Sequence, residues 1–333
     1  HVPDDVFPQA LLYLRIYLMG MPVILLYNFE AAIFRSVGET RVPLVALAMS
    51  GVLNVLLNLF FVAVLHMTVN GVAIATVIAN AFSSALLFRR LLRSGKGIRL
   101  EPRRLRMDGR SLWMILRIGL PAGLQSAVFA ISNIVIQSAI NSLGTVVIAA
   151  SSSAYNIEVF AYDVMNSYNQ ACTTFVGQNY GAGQIRRCRK TLYLCLIEDA
   201  VSLGATVALV LLTGRFLLSI FNNDPQVVAL GYDRLKIVFF AYIFSLLYEV
   251  MSGYLRGFGI SLVPAALTAL GVCGIRIAWI HFVFPQHPTL QTIMTSYPVS
   301  LSATALMIFI ALLCYRPARK HAAMEREPAP AGK

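Results

Sequence analysis

Glu158 stands in a run of polar side chains that recurs with the period of a helix. At 100° per residue, Tyr155, Tyr162, Asn166, Asn169 and Thr173 fall within about 80° of it, and Asp163 and Gln170 flank that arc. Ile157, Ala161, Val164, Met165, Cys172 and Phe175 cover the other side. A helix here is polar along one whole wall. Asn, Gln and Tyr can serve as glue between helices, but a full stripe with two carboxylates suits a water-accessible cavity better. A carboxyl at such a wall can exchange a proton, or hold Na⁺ together with amide oxygens. The pattern leaves both open, and it calls for no cofactor beyond that coupling ion.

Other polar residues fall at helical spacing inside apolar stretches. Asn133 and Gln137 share a face, with Gln125 and Ser132 nearby in angle. Asn54 and Asn58 do the same. For both pairs, interhelical bonding and ligand contact stay open. Glu249 shares a face with Tyr242, Ser245, Ser252 and Arg256, and Glu30 precedes Arg35 by five residues, so for each acid pairing with that cation and a place on a transport pathway both stay open. Glu198 and Asp199 lie near a basic loop at 186–190 that can neutralise them. Arg276 is the lone cation of its stretch, and a buried carboxylate partner is expected for it. The five cysteines form no C-x-x-C pair and read as small apolar filler.

The elements that carry these residues are set by composition. Of 333 residues, 58% are apolar and 13% charged, with a mean hydropathy of +0.70. Soluble domains carry about 25% charged residues, so lipid is the solvent here. Nine runs reach the roughly 20 residues that a bilayer crossing needs: 8–35, 43–65, 70–92, 112–141, 145–176, 190–221, 227–256, 262–284 and 290–315. Runs of this length satisfy their backbone as helices. The expected fold is an all-α, polytopic membrane protein.

The 27 Lys and Arg residues orient it. Ten lie in 89–117, four in 186–190 and five after 315; Arg35, Arg41 and Arg256 belong to the same side. The opposite loops near 66–69, 142–145 and 285–289 have none. The positive-inside rule puts 89–117 and the C-terminus in the cytoplasm. The net charge of +12 is then a property of cytoplasmic loops, and no nucleic-acid partner is implied.

A shift of 221 residues superposes two segments. Leu25-Leu26-Tyr27 falls on Leu246-Leu247-Tyr248, Arg35 and Gly38 fall on Arg256 and Gly259, and Val42-Pro43 falls on Val263-Pro264. Both copies run in one direction, so the chain contains a parallel repeat of the kind transporters use. Spans one to three pair with spans seven to nine, which leaves spans four to six without partners. Three further helices ahead of residue 1 would complete two six-helix bundles. The expected organisation is the second half of an N-terminal bundle at 1–92, a cytoplasmic linker at 93–111 marked by Gly95, Gly97 and Pro102, a six-helix bundle at 112–316 and a cytoplasmic tail at 317–333.

Four punctuating motifs carry a family resemblance. Gly119-Leu-Pro-Ala-Gly-Leu-Gln125 opens the fourth span, and Phe175-Val-Gly-Gln-Asn-Tyr-Gly-Ala-Gly183 closes the fifth. Leu255-Arg-Gly-Phe-Gly259 and its echo Phe34-Arg-Ser-Val-Gly38 close equivalent helices of the two copies, and Asn156-Ile157-Glu158 adds a branch signature. In that order and spacing the chain resembles the multidrug and toxic compound extrusion (MATE) family, bacterial branch, from its fourth helix to its twelfth. The resemblance implies a twelve-helix, two-bundle exporter. It implies efflux of organic, often cationic, compounds coupled to H⁺ or Na⁺ entry, by a monomer in the bacterial inner membrane. Its partners are then the lipid bilayer and small organic substrates.

Two other readings compete with antiport. A lipid-linked oligosaccharide or lipid flippase of the same superfamily would line its cavity with Arg and Lys, whereas the cavity candidates here are acids and amides. A membrane-embedded enzyme would show a nucleophile–base pair or a metal set, and neither H-E-x-x-H nor G-x-S-x-G occurs.

Overall fold

The polar breaks between the apolar runs become tight turns. In the computed structural model, residues 7–95 and 97–317 are described, and among them nine long helices follow one another in the expected order. Residues 318–333, most of the expected tail, lie outside the described residues. The chain forms two compact units, His1–Met107 and Asp108–Lys333.

The first unit holds α1 (Phe7–Ser36), α2 (Arg41–Val64) and α3 (Val69–Arg93). The last five residues of α2, Phe60–Val64, wind as a π-helix. Small residues let the helices approach: Ala73, Ala75, Ala79 and Ser83 are buried along α3, and Ser50 of α2 donates to the Ala79 carbonyl at 2.6 Å. Tyr27, Ala31, Phe34, Ala46, Leu87 and Leu91 form the unit's main apolar cluster. Ile98 and Leu100, inside the stretch expected to be a linker, pack back onto that cluster.

The second unit holds α4 (Gly109–Asn141), α5 (Thr145–Gly181), α6 (Ile185–Phe221), α7 (Pro225–Gly257), α8 (Leu262–Gln286) and α9 (Leu290–Tyr315). Three of these helices start at a capping side chain. Asp108, Asp224 and Thr289 accept from the backbone N–H of Ser111, Gln226 and Thr292. Helix α6 begins five residues earlier than the span 190–221, so Arg186, Arg187, Arg189 and Lys190 lie on its first turns and not in a loop. Residues Ala269–Gly274 of α8 are a π-helix between two α-helical pieces.

Eight of the nine helices are long and apolar enough to cross a membrane; α7 is the most buried of them. The exception is α5, which at 37 residues is long enough but carries the polar stripe. It packs against α7 at close range: a Cβ on Gly253 would stand 2.5 Å from the Asn169 carbonyl oxygen, and one on Gly257 2.6 Å from the Val176 side chain. Glycine at these two positions sets the α5–α7 distance.

The repeat is visible in the backbone. α2 and the segment Leu262–Thr268 begin 221 residues apart, as do α3 and α9. Gly38 and Gly259 both take left-handed φ, 81° and 80°. Glu39 and Ile260 donate back to Phe34 and Leu255, each at 3.0 Å, which is one Schellman-type ending used twice.

Candidate functional site

Helix α5 turns its polar wall to a cavity of about 540 Å³ in the second unit, lined also by residues of α4, α7, α8 and α9. Of the α5 residues expected there, Tyr155, Glu158, Tyr162, Asn166 and Asn169 line it. Gln125 and Asn133 line it from α4, and Glu249 from α7. Tyr242, Ser245 and Arg256 accompany Glu249, the face that helical spacing gives. Thr173 lies outside the lining and ties α5 to α7 by donating to the Gly253 carbonyl at 3.1 Å.

Six sequence candidates are placed elsewhere. Asp163 and Gln170 are exposed on the flank of α5 and do not line the cavity. Gln137 turns from Asn133 and donates to Asn141 at 2.8 Å. Asn54, Asn58 and Glu30 belong to the first unit. There Asn54 donates to Thr76 of α3 at 3.4 Å and accepts from Asn58 at 3.0 Å, so this amide pair bonds between helices. Glu30 is buried and accepts from Ser84 of α3 at 2.9 Å, not from Arg35. A helix neighbour that arrives with a hydroxyl outcompetes a cation more than one turn away on the same helix.

The charges inside the cavity differ from the expected set of acids and amides. Glu158 is not a free carboxyl. Both its oxygens accept from Arg234, at 2.7 Å from Nε and 2.8 Å from Nη2, and both side chains are buried. A two-point bond of this kind is the guanidinium's preferred geometry. Glu249 does not pair with Arg256: it accepts from Asn169 Nδ2, while Arg256 Nη2 donates to Gln125 at 2.8 Å. Seven residues of helix rise separate their backbones by roughly 10 Å, and the Arg256 side chain turns to Gln125 instead. Arg276 lacks the carboxylate partner expected for it among the described residues. Its Nε donates to Ser300 at 2.9 Å, and its Cζ lies 4.0 Å over the Tyr297 ring. Two acids and two guanidiniums thus line the cavity, with a third guanidinium paired to Glu158. Acids do not outnumber guanidiniums at this wall.

Sequence reasoning passed over Arg234, which sits eight residues before Tyr242 near the cavity-facing side of α7. It also missed Tyr248 and Tyr297, whose rings line the cavity. Asp199 was expected to be neutralised by 186–190. It is instead fully buried, and neither of its carboxylate oxygens has a hydrogen-bond partner. The five cysteines are free, four of them buried.

Long apolar helices, a duplicated three-helix segment and a drug-sized cavity lined by one bundle together define a multi-pass α-helical membrane protein. The chain belongs to the MatE family, whose sequence pattern matches residues 1–60 and 121–280. It is 26% identical over 276 residues to the probable multidrug resistance protein YpnP of Bacillus subtilis (strain 168), covering 82% of this chain and 61% of that protein. It is 27% identical to a probable multidrug resistance protein NorM of Chromobacterium violaceum, covering 83% of this chain and 61% of the relative. The chain therefore spans about three fifths of these relatives' length. Its fold is that of a multidrug resistance MATE family transporter solved in an outward-facing conformation. The TM-score is 0.86 at 19% identity, over 98% of this chain and 72% of the other. A MATE structure in a bent conformation gives 0.85 at the same identity, over 97% and 72%.

Proposed function

We propose that the chain works as part of a secondary active antiporter that exports small organic compounds by alternating access, coupled to entry of H⁺ or Na⁺. In this reading it acts as a monomer in the bacterial cytoplasmic membrane, with its C-terminus in the cytoplasm. The observation that carries the proposal is Glu249. It is buried, faces the cavity, is bonded by an amide, and has no cation in contact among the described residues. A carboxyl in that position, beside Asn169 and close to Tyr162 and Tyr248, can take up H⁺ or Na⁺. Glu158, held by Arg234, serves as a fixed part of the wall. Uptake of a cation at Glu249 removes a negative charge from the cavity that holds the cargo. Coupling follows if that charge alters cargo affinity differently in the two access states.

The test is solute-driven dissipation of a preset H⁺ or Na⁺ gradient in vesicles made with the full-length gene product. The proposal expects organic solutes to collapse one of the two gradients, and expects Glu249→Gln to abolish that collapse. A gradient that no solute perturbs contradicts it.

A further inference from the structure

Arg276 poses a charge problem that the rest of the cavity does not solve. It lies in a membrane-spanning segment, is 6% exposed, and lines the cavity. Only Ser300 and the face of Tyr297 touch its guanidinium in the bonds the structure shows. The nearby acid is already spent: each Glu158 oxygen accepts from Arg234. Glu158, Arg234 and Arg276 therefore carry one net positive charge, on a group buried deep enough for a missing counter-ion to be costly.

The backbone around Arg276 is built to present it. The π-helical turn Ala269–Gly274 ends two residues before it and rotates the side chains that follow by about 100° relative to a regular helix. Trp279, one turn further on, is pinned by its donation to the Thr292 carbonyl at 2.9 Å. The Nε–Ser300 bond and the Tyr297 ring fix the plane of the guanidinium, leaving its outer edge for a planar oxyanion. Tyr242 and Tyr297 supply aromatic walls beside it, and about 540 Å³ of space accommodates a drug-sized body.

From this arrangement we infer that the cavity holds an anion subsite at Arg276, and that its occupant is an aromatic organic carboxylate. The inference rests on the transport reading and names the cargo class of the same cavity. The bound carboxylate takes the outer guanidinium edge of Arg276, and its ring lies between the tyrosines. Glu249, on α7 nearly two turns beyond Tyr242, stays available to the coupling cation.

Binding to the full-length gene product in lipid nanodiscs tests this with three probes of one ring: naphthoate, its methyl ester, and naphthylmethylammonium. Naphthoate should bind about tenfold or more tightly than the ester, as a charge-assisted bond to a buried guanidinium gives, and the ammonium most weakly. Arg276→Gln should erase the carboxylate's advantage while leaving ester affinity in place, and Arg276→Lys should keep part of it. If Arg276→Gln does not fold, the ranking of the three probes on the unmodified chain decides. Equal or tighter binding of the ester or the ammonium, or binding of none, overturns the inference. So does equal loss of naphthoate and ester in Arg276→Gln. A short-chain phosphatidic acid that binds where naphthoate does not also overturns it, in favour of a lipid headgroup. An ester or ammonium preference leaves the transport reading standing, whereas a cation gradient that no solute dissipates defeats that reading whichever probe binds.

Discussion

Glu158 and Arg234, 76 positions apart on α5 and α7, meet in a two-point ion pair with both side chains almost fully buried. The pair joins the two most intimately packed helices of the second unit, close to one end of the cavity. It changes what Glu158 can do. A carboxylate whose two oxygens already accept from a guanidinium is a structural charge, and the variable charge must be sought elsewhere.

Breaking this pair from one side leaves a buried charge uncompensated. Glu158→Gln and Arg234→Gln should each lower stability by about 3–5 kcal/mol, and the double variant Glu158→Leu with Arg234→Met should recover most of the loss. Thermal unfolding in detergent reads this. Single variants no less stable than the double would show that the pair does not hold α5 to α7.

Glu249→Gln should leave solute binding in place and uncouple it from the ion. The amide keeps the size of the side chain and a bond to Asn169 but cannot be loaded with a cation. The measurement is solute affinity with and without a cation load. Unmodified Glu249 should show a shift, and the variant none. A cation-dependent shift that survives in Glu249→Gln moves the coupling site to another acid.

Gly253→Ala should drive α5 from α7. The added carbon would lie 2.5 Å from the Asn169 carbonyl oxygen and 2.6 Å from its Oδ1, so the residue that holds Glu249 is displaced first. A loss of about 1–3 kcal/mol is expected, together with weakened ion dependence. Ordinary stability and ion response in Gly253→Ala would mean that the two helices separate without consequence.

Asp108 gives a pH-dependent case outside the membrane-spanning helices. The Ser111 hydroxyl and then the Ser111 N–H hold its carboxyl below the usual carboxylate range. A lowered folded value means that the cap's contribution is complete above the unfolded value and fades as pH falls through the folded one. Asp108→Ala should therefore show faster exchange of the first α4 amides than wild type at neutral pH, and the gap should close in acid. A gap that does not depend on pH would assign the cap to the Asp108 backbone alone.

The architecture and the polar wall of α5 were legible because both obey local rules. A bilayer fixes helix length, and the 100° step fixes which residues share a wall with Glu158. The same rule put Tyr242, Ser245, Glu249 and Arg256 together on α7. Partners were not legible, because they depend on which helix packs against which. Nothing in the spacing singled out Arg234, and it neutralises the leading acid. Glu30 had Arg35 on its own helix and took Ser84 of another. Asn54 and Asn58 kept the spacing of a ligand site, but Asn58 donates to Asn54 and Asn54 to Thr76 of the next helix. The charge of the cavity, which decides the cargo, was thus beyond the reach of periodicity.

Transport through this cavity requires the α5 wall to face water and to receive solute. Asn166→Cys in a Cys314→Ser background, where the four remaining cysteines are buried, tests it directly with a membrane-impermeant thiol reagent. Position 166 should label in the native protein, and an aromatic organic solute should slow that labelling. Labelling that appears only after denaturation, or that no solute slows, would contradict it.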